Sequence, residues 1–544
     1  MGEAHYLNSG FGTYTKELMT RLHQTGKYNL VEFSSYGNLQ DASNVPWLFI
    51  SNLPNYNNQE EVNAYNSNSA HQFGLWRFDH ICLDVKPDIV LSYRDPWMDD
   101  WIANSALRPY FHWIWMPTVD SAPQRPEWIN IFSECDAVLS YSEFGGRVLK
   151  EQGKNNINWI GCASPGIDPS VYKPLPKREH RTSMGVDPDC FIVGTVMRNQ
   201  KRKLFFELMK SFRIFLDTAP SEIARKTYLY LHTSYPEKIG WDLAHGILEH
   251  GLGSKVLMTY VCKSCQHFFP HYFQDAIIKC QRCQQQSAVC PTVSLGLSVE
   301  DLAKIYNLFD MYAQYAICEG FGMPQIEASA CGIPVAATDY SAMYDVVRFT
   351  KGYPIPVRTF FKEMETNAER AYPDNEAFAD ILIKFFQQTS EQRMQESIEV
   401  RKSTLERYDW GRSIKVWENY IDSYQSKNLQ GRWDSPPQIH NIPTAIPPNL
   451  SHKQFVHWVF NDVIGQPKHI YTEQGMSMYR DLVYGARVSA GNMEPINRDK
   501  IFEQFKARAH NKNAAEAVRA GHQAIQPQQF LIDAHQRHKR VMAK

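Results

Sequence analysis

The sequence predicts a two-domain α/β protein built on parallel sheets. Three observations carry this. Short β-rich runs alternate with amphipathic helical runs. A proline-bearing break near residue 165 separates two such series. At 544 residues the chain is also too long for one ordinary core.

In the first series, Ile89-Val90-Leu91-Ser92-Tyr93 and Ala137-Val138-Leu139-Ser140-Tyr141 read as strands, and Tyr14 to Gln24 reads as an amphipathic helix. The break runs from Pro165-Gly166-Ile167-Asp168 through Pro174, Pro176 and the charged run 177–181. A second series opens with the strand Phe191-Ile192-Val193-Gly194-Thr195-Val196 and continues to about residue 390. A closing amphipathic helix is predicted from about Tyr408 to Tyr424. The expected boundaries are 1–165 for an N-terminal Rossmann-like acceptor domain and 166–425 for a C-terminal Rossmann-like donor domain, with a cysteine-rich insert at 261–291. A proline-rich linker, 426–449, and a helical extension, 450–544, follow.

Composition excludes some classes. At 43% hydrophobic and 21% charged, the chain has the profile of a soluble globular protein. Its net charge of −1 provides no global field for a polyanion, so nucleic-acid affinity requires a local basic patch. The extension supplies one: Pro495 to Lys544 holds ten Lys/Arg against four Asp/Glu. No leader pattern and no run of 18 apolar residues is present, so the expectation is a cytoplasmic protein without a membrane segment.

The chemistry concentrates in Cys318-Glu319-Gly320-Phe321-Gly322-Met323-Pro324-Gln325-Ile326-Glu327, continuing through Gly332 and Pro334. An apolar strand, 311–317, ends at an acid. A Gly-x-Gly turn follows, and Pro324 suits the first turn of a helix. Glycines permit close backbone approach to a ligand. The free N–H groups of a helix start suit a diphosphate. Glu319 falls at the carboxyl edge of a strand, where open α/β sheets bind ligands.

This string closely resembles the E-x7-E signature of the retaining GT-B glycosyltransferases of family 4. The resemblance spans roughly residues 1–425. It implies a GT-B fold, two Rossmann-like domains facing a cleft, and a nucleotide-sugar donor. It implies a place beside the donor sugar for Glu319, ribose binding for Glu327, and phosphate contacts for the backbone of Gly320, Phe321, Gly322 and Met323. Ser9-Gly10-Phe11-Gly12-Thr13-Tyr14 resembles the family's first glycine loop, which gives Gly10 and Gly12 a place near the donor phosphates. Pro165-Gly166-Ile167-Asp168, with Tyr172 and Pro174, resembles its interdomain segment. Ser298 to Ala303 with Tyr306 matches the helix before the signature strand. In Met197-Arg198-Asn199-Gln200-Lys201-Arg202-Lys203 the family's diphosphate-neutralising pair falls on Arg198 and Lys203, although Lys201 and Arg202 blur the register. With cations in that role, no catalytic metal is expected. Asp187-Pro188-Asp189 spells D-x-D but reads as a turn.

On the acceptor side, Phe111 to Met116 reads as a strand running into a loop, with Asp120 the first candidate for a group facing the sugar and His112 the second. A loop-turn aspartate and a satisfied strand histidine are the plain alternatives. Asp95 and Asp99 lie on the same rim.

Two features depart from the family. The glycine loop follows Met1-Gly2-Glu3-Ala4-His5-Tyr6 almost at once, so the first strand is expected to be incomplete or rearranged, or the start to lie upstream. The second is Cys262-x2-Cys265 followed by Cys280-x2-Cys283, a spacing just short of a common zinc-ribbon window. Four thiolates leave no open coordination position, so a structural Zn2+ is expected, with a redox pair as the alternative. Ribbon, basic extension and 13% aromatic content together suggest a hydroxymethyl-type base in DNA as acceptor, as in some phage enzymes. A saccharide or cell-surface acceptor and a catalytically silent, partner-binding GT-B subunit are the alternatives.

Overall fold

A computed structural model describes residues 1–423 except 39, 43, 44, 293 and 294. Beyond 423 it describes only 433–434, 443, 445–450, 454–455, 458–463, 498–499, 501–503 and 505–506. The expected proline-rich linker and basic extension thus lie largely outside the described residues. Those described there include the helical turn Val459–Val463 and the buried side chains Phe455, Ile501, Phe502 and Phe505.

The chain forms two compact units. The first comprises Met1–Ser51, Leu91–Pro96 and Ile114–Gln425; the second comprises Asn52–Val90, Trp97–Trp113 and Ser426–Lys544.

In the first unit, β1 (Gly2–Glu3), β2 (Val31–Ser35) and β3 (Leu48–Ser51) pair in parallel. A second sheet, whose first two strands span the boundary between the units, has the order β4 (Ile89–Ser92), β5 (His112–Trp115), β6 (Ala137–Ser140) and β7 (Trp159–Cys162), with β5–β6 and β6–β7 parallel. The expected anomaly at the start is visible: β1 is only two residues long, yet it keeps its place beside β2, and the Met1 amine donates to the Leu91 carbonyl. The helix Gly10–Gln24 follows, capped by Ser9 Oγ, which accepts from Gly12 N at 3.0 Å. Its Tyr14, Leu18, Met19 and Leu22 share one buried stripe.

The second half is built on β8 (Phe191–Val196), β9 (Thr227–His232), β10 (Val256–Cys262), β11 (Phe268–Tyr272), β12 (Ile278–Lys279), β13 (Gln286–Val289), β14 (Met311–Gln314), β15 (Val335–Thr338) and β16 (Tyr353–Ile355). Its parallel core runs β10-β9-β8-β14-β15-β16. Chain order reverses direction between β8 and β14, and open α/β sheets bind ligands at the carboxyl ends of the strands at such a point. A hairpin of β17 (Val357–Lys362) and β18 (Glu369–Pro373) completes the half.

The cysteine-rich insert is an extension of this sheet. β10 pairs with β9 through Val256–Met258, then runs on to pair with β13 at Val261 and Cys262, while β11 folds back along it. The core continues into the insert: Met258, Tyr260, Phe269, Ile278 and Ala288 belong to one buried cluster with Leu229 and Phe212.

The Pro165–Asp168 segment and the chain's return cross side by side. Ile167 N donates to Tyr408 O at 3.1 Å, and a Cβ on Gly166 would stand 2.3 Å from the Trp410 nitrogen. The closing helix, Trp410–Ser423, then lies against the N-terminal half: Trp417 Nε1 donates to the Tyr14 hydroxyl, which donates to Ala163 O, each at 2.9 Å.

The second unit contains the helices Gln59–Asn66 and Leu75–Val85. The Asn52 side chain ties it locally, donating to the carbonyls of His71 and Gln72 and accepting from Trp76 Nε1. No helix among the described residues is long and apolar enough to cross a membrane.

Candidate active site

The signature folds as its residue types require. β14 ends at Gln314, and Tyr315 to Cys318, with Ala316 bridged to Lys203, lead on to Glu319. The next helix is Met323–Ala330, with Pro324 in its first turn. Gly322 caps it at φ +89, a left-handed conformation that costs glycine nothing. Gly320 is required for a different reason: a Cβ there would stand 2.3 Å from Thr118 Cγ2 in the loop after β5. Phe321 is buried, its ring edge-to-face with Tyr408.

The Glu319 carboxylate is the focus of a buried polar cluster. It accepts from Lys203 Nζ, from Arg202 Nη1 at 2.8 Å and from Gln314 Nε2 at 2.6 Å. Its backbone N–H donates to Ser341 Oγ at 2.9 Å. A backbone bridge explains why Lys203 arrives there. Leu204 N donates to Tyr315 O at 3.1 Å and Ile317 N to Arg202 O at 3.0 Å, so the segment after β8 is zipped to the segment after β14. Burial draws the Lys203 ammonium well below the ordinary lysine range, and Arg202 adds to it. The contact with Glu319 opposes both. Arg198, by contrast, is exposed beyond the end of β8.

Glu327 is also buried, but it faces a different set of groups. It accepts from Tyr306 at 2.6 Å and from Tyr172 at 3.1 Å, and burial raises its carboxyl above the usual range. The sequence places both tyrosines in family-like segments without suggesting that they meet on this acid.

Of the first glycine loop, Gly10 begins its helix opposite the signature turn, with a Cβ position 3.9 Å from Met323 Sδ. Gly12 packs inward, where a Cβ would stand 2.4 Å from Leu7 O.

Asp120 lies in the loop after β5, close to the residue preceding Glu319. It accepts from Arg370 Nη1 at 3.0 Å, from Ser121 Oγ at 2.8 Å and from Cys318 Sγ at 3.2 Å. His112 begins β5 and is buried, at the end of the strand opposite the Asp120 loop. Asp187-Pro188-Asp189 is a turn whose Asp189 pairs with Arg178. Arg370, Gln314 and Ser341 escape sequence reasoning, because no motif includes them. Arg202 was obscured by its basic neighbours.

The four insert cysteines form a second cluster, with all their sulfurs within 4.8 Å of one another. The two knuckles share one geometry. Gln266 N donates to Cys262 O at 2.9 Å and Gln284 N to Cys280 O at 3.0 Å, with Gln266 and Gln284 at φ +58 and +62. Cys262 and Cys283 stand 3.5 Å apart, and Cys265 and Cys280 3.7 Å. Thiolates about 2.3 Å from a tetrahedral zinc stand about 3.8 Å from each other, so the residues fit that ion.

Comparison with known proteins agrees with this geometry. Residues 291–395 match the family model for glycosyl transferases group 1. The curated relatives include a D-inositol 3-phosphate glycosyltransferase of Rhodococcus erythropolis, 25% identical over 219 residues, which are 40% of this chain and 42% of that protein. A protein of the same name from Paenarthrobacter aurescens is 26% identical over 188 residues, 35% of this chain and 37% of its own. The chain thus spans about two-fifths of the length of these relatives. Among solved structures, sucrose-phosphate synthase from Thermosynechococcus elongatus superposes with a TM-score of 0.53 at 16% identity, covering 76% of this chain and 94% of its own. Anabaena HepE, solved with UDP and glucose, gives 0.52 at 14%, covering 76% and 98%. Fold, reversal point and matched segment converge: residues 291–395 are similar to group 1 glycosyltransferases, on an α/β fold of the GT-B type.

Proposed function

We propose that the chain is a retaining glycosyltransferase that moves a sugar from a nucleoside diphosphate sugar to an acceptor hydroxyl. The observation that carries this is the cluster at the reversal point, where Glu319, Lys203 and Arg202 meet directly before a glycine turn and a helix start. The helix N–H groups and the cations would neutralise the departing diphosphate, with Arg198 exposed nearby in sequence to join Lys203. Glu319 would lie against the sugar. Glu327 would reach the ribose by exchanging one tyrosine partner for a ribose hydroxyl. The bond from the anomeric carbon to the diphosphate oxygen breaks, and the acceptor oxygen bonds to that carbon on the same face. The acceptor's proton passes to the leaving diphosphate. Asp120 would orient the acceptor hydroxyl. HepE's complex with UDP and glucose supports a UDP-sugar as the first donor to try.

For the acceptor, the relatives named for inositol 3-phosphate favour a polyol or saccharide hydroxyl. A hydroxymethylated base in DNA is the competing reading, favoured by the exposed Lys263, Lys279 and Arg282 of the insert. We assign the four-cysteine cluster to a structural Zn2+, which would lock the two knuckles together; all four positions would be filled, leaving it no part in transfer. The donor and the free thiols suit a reducing cytoplasm.

The test is a screen of nucleoside diphosphate sugars against polyol, saccharide and hydroxymethylated-DNA acceptors, read by mass spectrometry and by the anomeric configuration of the product. Transfer with retention is expected. Donor binding without turnover would leave a silent subunit instead. DNA binding that is absent even at low salt would remove the DNA reading.

Gly320→Ala is expected to lower the transfer rate at least about 10-fold by forcing the Thr118 loop away, since misplacement by an ångström can cost more than that. Adding Thr118→Ser, which deletes the offending methyl, should recover most of it. Equal activity of G320A and wild type would show that the loop contact is irrelevant to transfer.

A further inference from the structure

The β17–β18 hairpin touches both sides of the proposed site. Ala371 N donates to Ile317 O at 3.0 Å, which ties β18 to the segment leading into Glu319. Glu369 N donates to Ala122 O at 2.9 Å, which ties it to the Asp120 loop. The Tyr340 hydroxyl joins the same corner, donating to Glu369 O at 2.7 Å and accepting from Ala122 N at 3.3 Å.

Arg370 sits between these two attachments with its side chain only 7% exposed. One guanidinium nitrogen, Nη1, lies 3.0 Å from Asp120 Oδ1 and 2.9 Å from Cys318 Sγ. The other, Nη2, donates to Glu363 Oε2 at 2.6 Å, within the hairpin's own turn. The planar fork therefore links a carboxylate of the hairpin to a carboxylate of the acceptor loop, a geometry that a lysine's single ammonium matches poorly. Asp120 itself remains 31% exposed, so its carboxylate is held on one side and open on the other.

We propose that Arg370 is a positioning residue for acceptor use: it fixes the Asp120 carboxylate against the Cys318–Glu319 edge, so that its open side receives the acceptor hydroxyl. Through Glu363 the hairpin sets that orientation. The inference rests on the glycosyltransferase reading and adds to it the residue that aligns the acceptor side. Its role in this proposal is confined to the acceptor side.

The experiment compares wild type, R370Q, R370K, D120N and the double variant R370Q/D120N in the full chain. UDP affinity is read by calorimetry, donor hydrolysis without acceptor by UDP release, and transfer by kcat/KM for the acceptor. R370Q is expected to lower acceptor kcat/KM about 10- to 100-fold, leaving UDP affinity and donor hydrolysis within about 2-fold. R370K should recover part of the loss. In the D120N background R370Q should add little, because both act through one carboxylate. A parallel fall in UDP affinity and hydrolysis would make Arg370 a merely structural strut and overturn the proposal. So would additive losses in the double variant. If wild type transfers and R370Q is unchanged, this inference alone falls. If wild type neither binds nor cleaves any donor, the glycosyltransferase reading falls and takes the inference with it.

Discussion

Glu319→Gln is expected to reduce kcat by roughly 10²- to 10³-fold, the range seen when one preorganised electrostatic group is removed from a transition state. The carboxylate accepts from Lys203, Arg202 and Gln314 at once, so in the proposed reaction it would set the position of a cation for the leaving diphosphate as well as lie against the sugar. The amide keeps the shape and loses the charge. That leaves the Lys203 ammonium buried beside Arg202 without its anion. Breaking a buried pair on one side costs about 3 kcal/mol or more, which corresponds to a fall of roughly 5 °C in thermal midpoint for a chain of this size. Burial already pulls the Lys203 pKa down, so in E319Q it is expected to shed its proton as pH rises, at lower pH than in wild type. Adding Lys203→Met removes the stranded charge and should return most of the stability while activity stays low. Calorimetry with steady-state kinetics on the single and double variants separates the two effects. An E319Q enzyme with normal turnover would remove the central assignment.

The second large effect is expected from the cysteine cluster. Cys280→Ser, or prolonged chelation, should lower the thermal midpoint by roughly 5–10 °C, corresponding to a few kcal/mol of lost metal-coupled folding. The reason for so broad an effect is topological. β10 is shared: its first three residues pair with β9 of the parallel sheet, and its last two pair with β13, which follows the second knuckle. Cys262 and Cys280 are members of the same buried cluster as Leu229, Phe212 and Phe378. Two of the thiols, Cys262 and Cys283, are shifted in opposite directions. The Ser287 hydroxyl draws Cys262 down to about 5. At Cys283 the Gln285 N–H favours the thiolate but is outweighed by lost hydration and the neighbouring thiols, so that one rises to about 12. A divalent ion would remove this difference by taking all four as anions. Elemental analysis of the purified chain should give about one zinc per molecule. Turnover per folded molecule should be unaffected by the metal's removal at low temperature. A chain that purifies without metal and melts at the same temperature after C280S would refute the structural role.

Local chemistry was readable in the sequence wherever neighbours in the chain impose it. Pro324 and Gly322 had to begin a helix, and Cys-x2-Cys had to form knuckles, because each outcome depends on backbone torsions and hydrogen bonds within a few residues. The alternation of strands and helices was enough to announce parallel sheets, and the signature was enough to announce Glu319.

Contacts made over more than a hundred residues were not readable, because side-chain meeting depends on strand order and register, which no local pattern encodes. Sequence favoured Arg198 and Lys203, with Lys201 and Arg202 blurring the register; the bridge from Lys203 to Ala316 turns both Lys203 and Arg202 onto Glu319, while Arg198 is exposed. Arg370 belongs to no motif, and it gains its role only because the hairpin folds back across the Asp120 loop. The sequence by itself determined which residues could carry charge and where the backbone could turn; only the packing of two sheets decided which of those charges face one another.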